Sequence, residues 1–265
     1  MIRPLAPVAI AVLGCVASIG VAAQGRGGGA PAAALPPARA IAPKDLTGYW
    51  VSVVAEHWHL RMLVPPRGEF AMLPLNPDAR KIAMAWDPAK DQAEGNACRS
   101  YGAAAIMRVP SRLHIHWADD NTLQVDIDSG TQTRLLHFVS NSVAATRAPD
   151  WQGYSVAEWD GIPAQELRAR TAGSPPDVRG GLKVTTTRMR PGYLRKNGVP
   201  YSENATLTEY FDPFREPNGD RWLVVDSIVR DPRYLTQPYL TSSAFRQIPD
   251  RAGWDPTPCR ADLAR

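Results

Sequence analysis

Cysteine is scarce, with three among 265 residues, and the first of these, Cys15, lies inside the N-terminal apolar run. Charge of one sign is scarce too: 30 Lys and Arg against 26 Asp and Glu leave only +4 at pH 7. No basic run alternates with aromatics, which argues against a nucleic-acid partner. Beyond residue 23 no apolar stretch approaches the roughly 20 residues that a spanning helix requires, so no transmembrane segment is expected. No internal repeat at a fixed period is visible. A glycine-rich nucleotide loop and a nucleophile elbow are both lacking, which disfavours cofactor-dependent redox chemistry and serine hydrolysis.

What is present begins with an export signal. MIRPLAPVAIAVLGCVASIGVAAQ carries one early Arg, an uncharged apolar run from Pro4 to Ala23 and a small-residue Val21-Ala22-Ala23 step. Residues 1–23 therefore read as a signal peptide, and the mature chain is expected to be periplasmic or secreted. An alternative takes Val12-Leu13-Gly14-Cys15 as a lipoprotein box that would anchor the chain through Cys15. Residues 24–43, rich in Gly, Ala and Pro, read as a disordered spacer, which leaves 44–265 as a single folded domain. In an oxidising compartment the two remaining cysteines, Cys98 and Cys259, are expected to pair. Such a long closure stabilises by roughly 4 kcal/mol in the chain-entropy picture.

From Asp45 onward short strand-like windows recur between Gly, Pro, Asn and Asp: TGYWVSVV, RMLV, AIMRV, RLHIHW, TLQVDI, TRLLHFV, GYSVAEW, LKVTTTRM, ATLTEYF, RWLVVDSIV and QPYLTSSAFRQI. The pattern predicts a mainly β, antiparallel barrel or sandwich. One short helix is predicted over Asn76 to Trp86, with an Asn cap and Pro77 at the first helical position, ending before Asp87-Pro88.

The Gly48-Tyr49-Trp50 entry to the first strand resembles that of lipocalin-like barrels. The resemblance implies that Trp50 packs at the closed end, with Arg246 from the last strand as its cationic neighbour. Over most of the mature chain the sequence also resembles a group of exported bacterial proteins of unestablished function. The likeness is carried by Gly48–Trp50, Thr131–Phe138 and the long segment from Gly192 to Phe211. It implies a lipocalin-like β-barrel and export, and it implies no reaction.

Five histidines fall in three windows read as strands: His57 and His59, His114 and His116, and His137. Side chains two apart on a strand share a face, so each H-x-H could direct two imidazoles at one metal. Alternation places Leu113, Ile115 and Trp117 inward and leaves Arg112, His114 and His116 outside. The next strand alternates in the same way, so Asp119-Asp120-Asn121 is predicted as a three-residue loop with Asn121 left-handed. This register sets His114 opposite Asp126 and Arg112 opposite Asp128, either as an external ladder of pairs or as a dyad facing a polar lumen. His57 and His59 also fall on the outer side of their window, with Arg61. The four together are the fallback ligands for Zn or haem; no cofactor is otherwise expected. His137 alternates with Leu135 and Val139 and is predicted to turn inward.

Two carboxylates share apolar faces. Glu209 lies with Ala205, Leu207 and Phe211, and Asp226 with Trp222, Val224 and Ile228, on consecutive windows joined across Asp212 to Asp220. A carboxyl group in apolar surroundings has its charged form disfavoured, which suits acid–base work. The segment from Gly192 to Tyr201 lacks periodicity and reads as a lid or a solvated connection, with Tyr193, Arg195 and Tyr201 as ligand contacts. Together these residues suggest a cofactor-independent lyase, dehydratase or isomerase acting on a small apolar or aromatic molecule in an interior pocket. Glu209 would be the proton acceptor, His137 its partner, Asp226 a further acid, and Arg134 or Arg195 the holder of an anionic group. The competing expectation is a non-catalytic carrier of a small hydrophobic ligand.

Overall fold

The structure, a computed structural model, describes residues 35–138 and 148–263. The expected signal segment 1–23, Cys15 and Val139 lie outside the described residues.

Nine strands close into a barrel in the spatial order β1, β11, β10, β9, β6, β5, β4, β3, β2. They are β1 (Gly48–Val53), β2 (Arg112–Asp119), β3 (Thr122–Ile127), β4 (Gln132–His137), β5 (Tyr154–Asp160), β6 (Gly181–Thr187), β9 (Thr206–Arg215), β10 (Arg221–Arg230) and β11 (Tyr239–Ile248). A separate two-stranded hairpin, β7 (Gly192–Arg195) and β8 (Val199–Tyr201), stands outside the barrel sheet. The barrel is mixed rather than wholly antiparallel, because β4 and β5 run parallel through Leu136–Ser155 and His137–Val156. Parallel neighbours need a connection longer than a hairpin loop, and the chain from 138 to 153 supplies the length.

Five short helices, not one, occur among the described residues: α1 (Trp58–Arg61), α2 (Pro77–Met84), α3 (Pro88–Ala93), α4 (Ala103–Ile106) and α5 (Ala164–Ala169). The windows EHWH, RMLV and AIMRV are therefore not strands. α2 has the predicted Asn76 cap, whose side chain accepts from Ala79 N at 2.9 Å, but it ends at Met84. Asp87-Pro88 does more than stop it: Asp87 caps and Pro88 opens α3.

The inward faces of β2 and β3 are as alternation predicts, with Leu113, Ile115, Leu123, Val125 and Ile127 buried. The pairs Leu113–Ile127, His114–Asp126 and Ile115–Val125 match the expected register. The connection differs in mechanism. Asp119 pairs with Thr122 across a two-residue turn, and a bulge between Trp117 and Asp119 supplies the extra residue. Asn121 is not left-handed; the described non-glycine residues with positive φ are His57, Met72, Thr131 and Arg188. A bulge and a three-residue loop shift parity equally, so the register is the same by either route.

Two apolar clusters meet along the barrel. The larger one fills the interior and includes Trp50, Leu113, Val125, Leu136, Phe211 and Phe245. The second joins Leu207 and Val229 of the β9–β10 hairpin to α2, α4 and the β7–β8 hairpin through Ala79, Ala83, Leu194 and Tyr201. The β9–β10 strands extend to Arg215 and resume at Arg221, so their turn spans 216–220, shorter than the sequence suggested. The cation over Trp50 is Arg221, 5.6 Å from the ring centroid, whereas Arg246 is exposed and pairs with Val51. Packing also begins before Pro43: Ala38 and Ile41 are buried, and Trp159 Nε1 donates to Ala38 O at 3.1 Å. The end of the expected spacer is thus docked on the barrel.

Cys98 and Cys259 form a disulfide across 161 residues, tying the 3-10 turn Ala97–Tyr101 to the C-terminal segment.

Candidate functional site

Glu209 faces the barrel interior, as its neighbours Leu207 and Phe211 require, and is fully buried. Its carboxylate is held bidentately by Arg134: Nη1 donates to Oε1 at 2.9 Å and Nη2 to Oε2. Arg134 Nη2 also reaches Thr186 Oγ1 at 3.4 Å, and Thr186 hydrogen-bonds Ser155 at 2.7 Å. Arg134 is 1% exposed. A fork-on-fork pair of this kind occupies both carboxylate oxygens, so Glu209 is a structural anion at the junction of the two apolar clusters.

The partners expected for it lie elsewhere. On β4 the inward residues are Arg134 and Leu136; Leu135 is exposed and His137 is half-buried on the outer side. His137 stacks on Tyr154 at 5.1 Å, with Nδ1 3.4 Å from Thr122 Oγ1. The register explains the reversal. Inward Leu123 and Val125 face Leu136 and Arg134 across the sheet, which forces His137 opposite Thr122. Asp226 is also reversed. Ser227, not Asp226, is the cross-strand neighbour of Glu209, so Asp226 lies exposed on the outer face, which it shares with the half-buried Trp222, Val224 and Ile228. Glu209, His137 and Asp226 are not brought together.

The segment from Gly192 to Tyr201 is neither a lid nor a solvated loop. It is the β7–β8 hairpin, buried at every residue. Gly198 turns it with φ +81°, and Trp86 packs so closely there that a Cβ would fall 2.2 Å from its side chain. Tyr193 donates its hydroxyl to Asp91 Oδ2 at 2.8 Å and receives Arg99 Nη1 at 3.1 Å. Burial, reinforced by Asp91, pushes the Tyr193 hydroxyl up to about 12. Tyr201 is buried with its hydroxyl unbonded, and burial raises its pKa as well.

Arg195 behaves differently. It ends β7 beside a small cavity of about 30 Å³ whose wall also carries Arg61 from the end of α1, Arg108 from just beyond α4, Leu63 and Lys196. Arg195 and Arg61 are each 5% exposed. Arg195 Nη2 donates to Ala71 O at 2.8 Å, while its Nε and Nη1 are buried without an acceptor. Arg61 Nε donates to Arg108 O at 3.0 Å, while its Nη2 is buried without one. Among the described residues no ion pair joins Arg61, Arg108 or Arg195 to a carboxylate. Burial, followed by the charge of Arg108, pulls Arg61 down to about 10, and burial likewise lowers Arg108. Guanidinium groups stay charged in proteins, so three of them crowded in a recess give it a positive field, opposed by Glu56 without a direct ion pair, and Arg61 and Arg195 keep N–H groups without acceptors.

Sequence alternation reads Arg61 as an outer strand-face residue and Arg108 as part of a strand, whereas Arg61 ends a short helix and Arg108 sits in the turn after another. A signal was nevertheless present. No Asp or Glu occurs between Glu56 and Glu69, between Glu94 and Asp119, or between Asp177 and Glu203, and these three stretches deliver the three arginines.

Lys196 points its ammonium away from the recess, to Tyr101 Oη at 2.6 Å and Leu263 O at 2.7 Å. Burial pulls it down to about 7, with Asp262 opposing. The unfolded chain keeps this proton up to about pH 10, whereas the folded chain has released it, so stability rises with pH between about 7 and 10. Lys196→Met is expected to flatten that rise. Urea unfolding at both ends of the window measures it, and an identical slope in the variant would contradict the assignment.

The remaining histidines separate into two environments. His57 and His59 are exposed on and before α1, His57 with a left-handed backbone, and they do not face the other pair. His114 and His116 lie on the outer face of β2 beside Asp126, so the four do not form one metal site.

No family model, curated protein or solved structure matches this chain.

Proposed function

We propose that the protein is an exported binder of small amphipathic organic anions, carrying them without chemical change, with a lipocalin-like barrel as its scaffold. The observation that carries this reading is the recess of Arg61, Arg108 and Arg195, in which buried N–H groups of Arg61 and Arg195 lack acceptors and, among the described residues, no carboxylate pairs with any of the three. The cavity suits a carboxylate or similar headgroup rather than a whole ligand. Beside it, Trp58, Met62 and Leu63 are large apolar side chains at 50% exposure or more, which offers a dry surface for an attached tail. The lining offers no carboxylate or imidazole to act as a proton acceptor, and the Lys196 ammonium is engaged elsewhere. This favours binding over turnover. The disulfide supports an oxidising destination.

Calorimetry with decanoate, compared with decanol, tests the reading. Decanoate is expected to bind and decanol not, and Arg195→Gln is expected to weaken binding about 10- to 100-fold, the worth of hydrogen bonds to a charged group. Equal binding of the alcohol, or an unaffected Arg195→Gln variant, contradicts it. Consumption of the ligand over time would replace the carrier with an enzyme.

A further inference from the structure

We propose that His114, His116 and Asp126 form a binding site for a divalent transition ion of the zinc type on the outer face of the barrel, separate from the arginine recess. The ligand atoms of the three residues lie within 4.8 Å of one another. Asp126 Oδ2 is 4.0 Å from His114 Nδ1 and 3.7 Å from His116 Nδ1. Zinc–ligand bonds of about 2.0–2.2 Å place tetrahedral ligand atoms roughly 3.3–3.5 Å apart, so the two carboxylate–imidazole pairs are near that spacing already and the stacked imidazoles would turn toward a common point to close on an ion.

Three features prepare the site. Asp126 Oδ1 already accepts from Gln124 Nε2 at 2.9 Å and Thr133 Oγ1 at 2.7 Å, which orients Oδ2 toward the imidazoles, as hydrogen bonds to a metal-ligating carboxylate do. The ring of His114 stacks between Tyr49, at 4.2 Å, and His116, at 4.6 Å, so both imidazoles present the same edge to the carboxylate. His116 Nδ1 is buried without a hydrogen-bond partner, a cost that an ion would offset. Two imidazoles and a carboxylate are a borderline donor set, suited to zinc and poorly suited to calcium or magnesium.

Three protein ligands leave a coordination position open. The adjoining groove of about 320 Å³, lined by Tyr49, Arg251 and Trp254, gives that position access to a water or an anion.

Zinc titration of protein purified without a histidine tag decides the matter, with bound metal counted by elemental mass spectrometry. One zinc ion per chain is expected, calcium should not displace it, and cobalt in its place should give the visible bands of low-symmetry coordination. His116→Ala and Asp126→Asn are each expected to weaken binding more than about tenfold, and Thr133→Val, which frees Asp126 to rotate, by about tenfold. His57→Ala combined with His59→Ala should change nothing. All five substituted positions are partly or fully exposed, and circular dichroism confirms folding of each variant. Absence of bound zinc, or binding that survives His116→Ala, overturns the proposal.

Discussion

Glu209→Ala destabilises the fold by about 3–5 kcal/mol, enough to unfold many domains of this size, because it strands the Arg134 guanidinium in a core where no other anion can reach it. The two groups sit at 0% and 1% exposure and share two hydrogen bonds, which leaves only the Arg134 Nε without an acceptor. Removing both charges has the opposite character. Arg134→Met combined with Glu209→Leu exchanges a desolvated ion pair for apolar packing between Leu207 and Phe211, a change that is often neutral or stabilising by 1–4 kcal/mol. Urea denaturation of the two singles and the double, analysed as a double-mutant cycle, measures the coupling. A Glu209→Ala protein as stable as the parent would show that the pair is not what holds this junction. Glu209→Gln is the gentler probe: it keeps the volume and one acceptor, and should fall between the two.

Replacing Cys98 and Cys259 by Ser lowers stability by about 5 kcal/mol, somewhat above the round figure expected from sequence, because the loop-closure entropy is that of a ring of 161 residues. The effect acts through the unfolded chain, so the native barrel should survive with little change while the unfolding midpoint falls. Local consequences follow on the folded side as well. The C-terminal segment is otherwise held by a few hydrogen bonds, Thr257 N to Asp128 O at 3.0 Å and Lys196 Nζ to Leu263 O at 2.7 Å among them. Adding dithiothreitol to the native protein should reproduce the midpoint shift. A reduced protein that melts with the oxidised one would exclude a stabilising role for the bond.

Strand parity was legible wherever one face of a strand was polar throughout. β2 and β3 are of this kind, and the pairing of His114 with Asp126 followed to the residue. Parity failed where both faces were apolar. β4 offers Leu135 and Leu136 in succession, and β10 alternates Trp222, Val224 and Ile228 with Leu223, Val225 and Val229, so local sequence does not say which set is inside. The decision comes from neighbouring strands, through Val125 facing Arg134 and Ser227 facing Glu209. The β7–β8 hairpin was illegible for a related reason: it is buried on both sides and carries no period at all. The candidate binding site was half visible. Arg195 stood out in a cationic segment, but its companions Arg61 and Arg108 arrive from short helical turns that tertiary packing imposes on strand-like sequence.

The parallel joint between β4 and β5 has a consequence for how this barrel fails. Among the described residues every other joint around the circumference carries at least four residue pairs, and the β9–β10 joint carries ten; this one carries two. A hoop under tension parts at its weakest stave. Parting here unrolls the barrel into a flat ribbon whose two raw edges are β4 and β5, with the paired Leu135-Leu136 step on one of them. Such an edge pairs readily with its equal in another molecule. Partial opening would then lead to chain-to-chain association before it leads to a random coil.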